Sequence, residues 1–171
     1  MNRAAKDVML RVDQAGEYGA KRIYAGQLAV LGDRHPMSAE IRHMAAQEEA
    51  HLSRFNALVA EQGVRPTLLQ PFWHVAGFAL GAATALMGPE AAMACTAAIE
   101  TEIDRHYSDQ LDALGDDEPE LADVIREFRD DEREHHDAAI AAGAEKAPAY
   151  PLLSAAIRLG CRAAIRLSER L

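Results

Sequence analysis

The sequence is poor in the residues that define several common protein classes. It contains two cysteines, Cys95 and Cys161, and no Cys-x-x-Cys pair, which excludes a disulfide framework and a thiolate metal site. Aromatic residues make up only 5 % of the 171 residues and β-branched residues are sparse, so the composition favours helix over sheet. No apolar segment precedes the first periodic stretch, and we therefore expect no secretory signal peptide.

Positive charge is also scarce. Lys and Arg number 18 against 27 Asp and Glu, and this net charge of −9 argues against a nucleic-acid partner, which requires clustered cations. The segment from Pro151 to Leu171 is the exception, with a charge of +3. Its arginines recur every four residues opposite an apolar face, at Arg158, Arg162, Arg166 and Arg170. This pattern predicts a helix that binds an anionic membrane surface, or else one that packs on the rest of the protein.

Glycine and proline divide the chain into six predicted helices, and no segment has the alternation of a strand. The predicted helices cover Arg3–Leu31, Ser38–Gly63, the apolar run from Pro71 to Gly88, Pro89–Gly115, Pro119–Gly143 and Leu152 to the C-terminus. The first, second, fourth and fifth are long and amphipathic. Two such pairs joined by a long crossover are typical of a ferritin-like four-helix bundle, although an unrelated all-α domain can contain the same elements. We expect residues 1–171 to form a single domain with an additional C-terminal amphipathic helix.

The apolar third helix admits two interpretations. Phe72–Gly88 holds 17 residues and one ionisable side chain, His74, which is fewer than the about 20 residues that span a bilayer. The segment therefore predicts a helix that lies in a membrane interface or lines an apolar channel, or a buried crossover helix. Gly77 and Gly81 would allow a close helix contact.

An internal repeat places acidic residues on apolar helix faces. Glu17 lies seven residues before Tyr24, and Glu100 lies seven residues before Tyr107. Residues seven apart share a helix face, so each helix places one glutamate among apolar neighbours.

The second and fifth helices share a different pattern, which also places ionisable residues on an apolar helix face. A Glu-x-x-His pair lies on the apolar face of each, at Glu48–His51 and at Glu132–His135. Residues three apart on a helix point to one place, and a glutamate from the neighbouring helix completes a ligand set.

Other acidic residues near these faces are predicted to lie on the surface. A third Glu-x-x-His match, Glu40–His43, falls outside the apolar face and has no counterpart in the other half. Glu49 is rotated by about 100° from its neighbouring ligand candidate, and Glu102 by about 200° from its own. We therefore predict surface positions for all three glutamates.

The repeat predicts a centre with two metal ions. Four buried carboxylates repel one another unless cations neutralise them, and two divalent ions supply the required charge. Carboxylate-rich ligand sets with one imidazole per metal suit iron or manganese better than zinc.

Longer strings around these residues are specific enough to indicate a family. They are RVDQAGEYGA at Arg11–Ala20, IYAGQ at Ile23–Gln27, WHVAGFALGA at Trp73–Ala82, FRDDEREHHD at Phe128–Asp137, and GC followed by LSERL at Gly160–Leu171. With them the sequence resembles, over nearly its whole length, the di-iron demethoxyubiquinone hydroxylases of ubiquinone biosynthesis. One departure is Gln14, where the family often has histidine.

The resemblance implies hydroxylation of a benzoquinone ring by O₂ at a reduced di-iron centre, with a reductant such as NADH. It also implies the ligand roles: one iron bound by Glu17 and His51, the other by Glu100 and His135, and both bridged by Glu48 and Glu132. Tyr24, His106 and Tyr107 are candidates for the substrate side, and core aromatics are the alternative for the two tyrosines.

The resemblance further implies a polyprenylated quinone substrate and a lipid-binding accessory protein, and we expect a homo-oligomer. The corresponding location is peripheral, on the cytoplasmic face of a bacterial inner membrane or the matrix face of the mitochondrial one. The alternative function is iron storage of the bacterioferritin type, since that class shares the Glu and Glu-x-x-His pattern.

Overall fold

The computed structural model describes residues 2–171 and is entirely helical in its regular structure, without a strand in that range. Six α-helices and one short 3₁₀ helix, Ala144–Lys146, follow in order: α1 (Arg3–Leu31), α2 (Ser38–Gln62), α3 (Gln70–Leu86), α4 (Pro89–Leu114), α5 (Pro119–Ala141) and α6 (Tyr150–Ser168). The prediction of an all-α, ferritin-like bundle with a crossover helix and an extra C-terminal helix is confirmed.

Local signals explain where the helices begin and end. The Asn2 side chain accepts a hydrogen bond from the Ala5 amide at 2.9 Å and caps α1, while Gly63 adopts a left-handed conformation that ends α2. Prolines stand in the first turns of α4, α5 and α6, where a residue without an N–H donor leaves no hydrogen bond unmade. For this reason α6 includes Pro151 and begins at Tyr150, two residues earlier than predicted.

The bundle is formed by two helix pairs, α1 with α2 and α4 with α5. The crossover helix α3 lies directly on α1, because glycines permit backbone contact: a Cβ at Gly81 would overlap the carbonyl oxygen of Ile23, and one at Gly26 would overlap that of Phe78. Helix α6 packs against α4. None of the helices within residues 2–171 combines the length and the apolar character needed to cross a bilayer.

Candidate metal centre and adjoining cavity

The six predicted ligands meet at the centre of the bundle, and each is at most 2 % exposed. Two groups of ligand atoms form there, with all atoms of a group within 4.8 Å of one another. One group contains Glu17 and His51, the other contains Glu100 and His135, and Glu48 and Glu132 belong to both.

The carboxylates are held close together with few protein partners. Glu48 has no hydrogen-bond partner for either side-chain oxygen, and one oxygen each of Glu17, Glu100 and Glu132 also lacks one, although all are buried. Buried acceptors without donors are unfavourable. This donor set therefore fits cations, and its six oxygen and nitrogen ligands match the preferences of iron or manganese.

Burial and charge shift the protonation of these groups in opposite directions. Burial, reinforced by the neighbouring carboxylate of Glu132, raises the pKa of Glu48 well above 4.5, and burial does the same for Glu100. Burial also raises the pKa of Glu132, but the hydrogen bond with His135 and the ring of His51, whose Nδ1 lies 3.3 Å from Oε1, outweigh it and bring it to about 2. The pKa of His51 is lowered by burial and raised more strongly, to about 11, by the carboxylates of Glu132 and Glu17, which lie 3.3 and 3.5 Å from its Nδ1.

Each histidine is oriented by a second residue that sequence reasoning missed. Nε2 of His51 lies 2.9 Å from Asp131 Oδ2, and Nε2 of His135 lies 3.0 Å from Gln47 Oε1. These acceptors hold the proton on Nε2 and leave Nδ1 facing the carboxylates, as outer partners of metal-binding histidines do. The sequence signal was the repeat itself, since Gln47 and Asp131 each directly precede a shared glutamate.

The two predicted tyrosines cross between the halves of the bundle. The hydroxyl of Tyr24 on α1 donates to Glu100 Oε1 at 2.7 Å, and that of Tyr107 on α4 donates to Glu17 Oε1. Each tyrosine therefore fixes one carboxylate oxygen of the opposite helix.

A cavity of about 490 Å³ leads to this centre from the side where α3 and α6 lie. Its wall is largely apolar and contains Ile23, Leu80 and Ile157, together with Glu17 among the predicted ligands. His106 and Tyr107, two of the residues predicted for the substrate side, line the cavity. Tyr24 does not belong to its wall; it is 1 % exposed and packs edge-on against the ring of His135.

The prediction that Glu102 lies on the surface is wrong. Its side chain is 2 % exposed and accepts hydrogen bonds from Arg158 Nε at 2.6 Å and Arg162 Nη1 at 2.8 Å. Helix α6 covers this position, which lies outside the apolar face of α4, and supplies the countercharge. Two of the four regularly spaced arginines of the C-terminal helix therefore face α4. The surface predictions for Glu40 and Glu49 are confirmed, since both are exposed, as is His43 of the third Glu-x-x-His match.

Comparison with known proteins agrees with the geometry. The family model described as "Ubiquinone biosynthesis protein COQ7" matches residues 4–168. A 3-demethoxyubiquinol 3-hydroxylase of Rhodospirillum rubrum is 62 % identical over 164 residues, 96 % of this chain and 77 % of the relative. A mouse protein named NADPH-dependent 3-demethoxyubiquinone 3-hydroxylase, mitochondrial, is 56 % identical over 174 residues, 99 % of this chain and 80 % of the relative. This chain belongs to the COQ7 family of ubiquinone biosynthesis proteins.

Proposed function

We propose that this protein is a di-iron monooxygenase that hydroxylates the ring of a demethoxyubiquinone or demethoxyubiquinol intermediate in ubiquinone biosynthesis. The observation that carries the proposal is an apolar cavity that ends at a buried cluster of four carboxylates and two histidines. The names of the relatives, all hydroxylases acting on such rings, support the same reaction.

The chain's ligands would hold two iron ions, with Glu48 and Glu132 shared between them. Bound iron would supply the activation of O₂. The reaction places one oxygen atom on the ring and releases the other as water, with two electrons and one proton from a reductant such as NADH and a second proton from solvent.

The remaining residues control access and orientation. The apolar wall around Ile23 and Leu80 excludes water and accepts the apolar ring of the substrate and the first part of its polyprenyl tail. Glu17 and Tyr107 lie where the cavity meets the metal centre, so a bound ring would lie beside that end of the cluster. Asp131 and Gln47 keep the histidines oriented.

We also propose that the protein binds peripherally to an anionic membrane surface through α3 and α6. These helices flank the cavity and expose Phe72 and Val75 on α3 and Leu159 on α6, between 59 % and 66 % accessible. Because Arg158 and Arg162 contact Glu102, the exposed charges available to lipid headgroups are Arg166 and Arg170. A lipid-tailed substrate would then enter the cavity from the membrane side.

Vesicle sedimentation tests the membrane proposal. The double variant Arg166→Glu and Arg170→Glu should bind vesicles of phosphatidylglycerol and phosphatidylcholine at least tenfold more weakly, since each arginine near an anionic surface contributes about 1 kcal/mol. The matched control Arg54→Glu and Arg126→Glu makes the same charge change at exposed positions on α2 and α5. Equal loss in both variants would contradict a specific membrane face.

Quinone profiling of a deletion strain tests the catalytic proposal. Loss of the gene should cause a demethoxyubiquinone to accumulate, and the wild-type chain should restore ubiquinone while Glu132→Ala should not. Family membership disfavours the iron-storage alternative. A strain with normal ubiquinone and altered iron stores would nevertheless reinstate it.

A further inference from the structure

The two halves of the metal centre are alike on the inside of the bundle. Nδ1 of His51 lies 3.3 Å from Glu132 Oε1 and 3.5 Å from Glu17 Oε2. Nδ1 of His135 lies 3.1 Å from Glu132 Oε2 and 3.4 Å from Glu48 Oε1. Each imidazole therefore presents one nitrogen to two carboxylates at similar distances, and these contacts do not distinguish the two metal positions.

The outward-facing nitrogens of the two rings meet different groups. Nε2 of His51 lies 2.9 Å from a carboxylate oxygen of Asp131, whereas Nε2 of His135 lies 3.0 Å from the amide oxygen of Gln47. Both groups accept a hydrogen bond, but an ionised carboxylate carries a negative charge and an amide carries none. The two halves of the repeat therefore differ by one charge directly behind the ligand rings.

The ring of His51 is fixed in contact with Asp131. Phe128 stacks on this ring with the ring centroids 3.9 Å apart and 24° between the planes. The His51 side chain is 2 % exposed, while that of Asp131 is 31 % exposed and only partly solvated. A hydrogen bond from an imidazole to a carboxylate is stronger than one to a neutral amide, and it makes the opposite ring nitrogen a stronger metal ligand.

We propose that the two metal positions differ in affinity, and that the position of Glu17 and His51 binds a divalent ion more tightly and is filled first. The reason is the Asp131 carboxylate, which makes His51 the stronger imidazole ligand. Asp131 is thus a positioning residue that acts through His51. Outer partners of metal-binding histidines change metal affinity by about 10–100-fold, so we expect a preference of about tenfold or more. This inference rests on the proposed function, which places two ions in the centre.

The position that is filled first also faces the cavity. Glu17 lines the cavity, whereas the small space beside Glu100 has no room for a water molecule. The more firmly held ion is therefore the one that a molecule in the cavity would meet.

Proton NMR of the full chain with cobalt(II) tests the order of filling. Cobalt(II) accepts the same oxygen and nitrogen ligands as iron(II), and its unpaired electrons shift the exchangeable Nε2 proton of a bound histidine far from all other signals. The signal that moves in Asp131→Asn belongs to His51, because Asp131 accepts that proton. The signal that moves in Gln47→Glu belongs to His135 for the same reason.

The intensities of the two signals at one cobalt(II) ion per chain give the preference directly. In the wild type the His51 signal should be about tenfold or more stronger than the His135 signal. Asp131→Asn should bring the ratio close to one, and so should Gln47→Glu, which adds a carboxylate behind the other ring. The double variant should invert the order. The control Glu134→Gln removes an exposed charge from the same helix and should keep the wild-type ratio.

The inversion separates an electrostatic role of Asp131 from a merely structural one. Equal signals in the wild type would overturn the inference, and so would a ratio that neither Asp131→Asn nor Gln47→Glu changes. If Asp131→Asn does not fold, Gln47→Glu still decides, since it keeps Asp131 in place. A wild-type chain that binds two cobalt(II) ions without preference leaves the proposed function intact, whereas one that binds none contradicts the metal centre itself.

Discussion

Replacing Glu102 by alanine measures how firmly α6 is attached to the bundle. The buried carboxylate accepts hydrogen bonds from Arg158 and Arg162, at 2.6 and 2.8 Å, and hydrogen bonds to charged groups contribute about 1.5–3 kcal/mol each. The two arginine side chains are 40 % and 35 % exposed, so they can regain water when the carboxylate is removed. We therefore expect the free energy of unfolding to fall by about 2–3 kcal/mol, less than the full value of both bonds.

Equilibrium urea unfolding, followed by circular dichroism, gives this value directly. With a slope of about 2 kcal/mol per molar urea, the midpoint should fall by about 1–1.5 M. The control Glu40→Ala removes an exposed carboxylate and should change the free energy by less than about 0.5 kcal/mol. Adding Arg158→Ala to Glu102→Ala should cost little more, because the interaction is already lost. Equal midpoints for Glu102→Ala and Glu40→Ala would refute the assignment of a stabilising contact between α4 and α6.

Three further predictions concern the metal centre and the crossover helix. Glu132→Ala and Glu48→Ala should each reduce the iron content, measured by metal analysis, from about two ions per chain to none, while Glu40→Ala should keep both ions. One iron ion retained in Glu132→Ala would contradict the prediction that Glu132 is shared by the two ions. Burial raises the pKa of Glu48 well above 4.5, so the folded metal-free protein binds more protons than the unfolded chain and loses stability as pH rises. Its Tm should be lower at pH 8 than at pH 5, and the opposite trend would argue against buried carboxylates. In urea unfolding, Gly81→Ala should lower the free energy of unfolding by about 2 kcal/mol or more, because the added methyl group overlaps the backbone of α1. Gly16→Ala adds a methyl group in open space and should raise the free energy of unfolding by up to about 1 kcal/mol.

The heptad spacing of Glu17 with Tyr24, and the i, i+3 spacing of Glu48 with His51, were sufficient to place these residues on core-facing sides of their helices. Helical periodicity is a local property, so the sequence alone decides which residues share a face. Prolines and glycines act equally locally, and most helix ends agree with the prediction within one or two residues. Because the pattern is duplicated, the sequence also indicated that the two helix pairs contribute equivalent ligand sets.

Whether a residue outside the apolar faces is buried depends on contacts between helices that are distant in sequence, and no local pattern contains them. Glu102 is buried because α6, more than fifty residues later in the chain, covers it and brings two arginines. Asp13 faces a cavity because α3 packs on α1 while α6 packs on α4, which leaves space between them. The sequence by itself determined the helices, their core faces and the family of this protein. Only the tertiary structure decided which off-face side chains are covered, because burial there depends on how helices distant in sequence pack together.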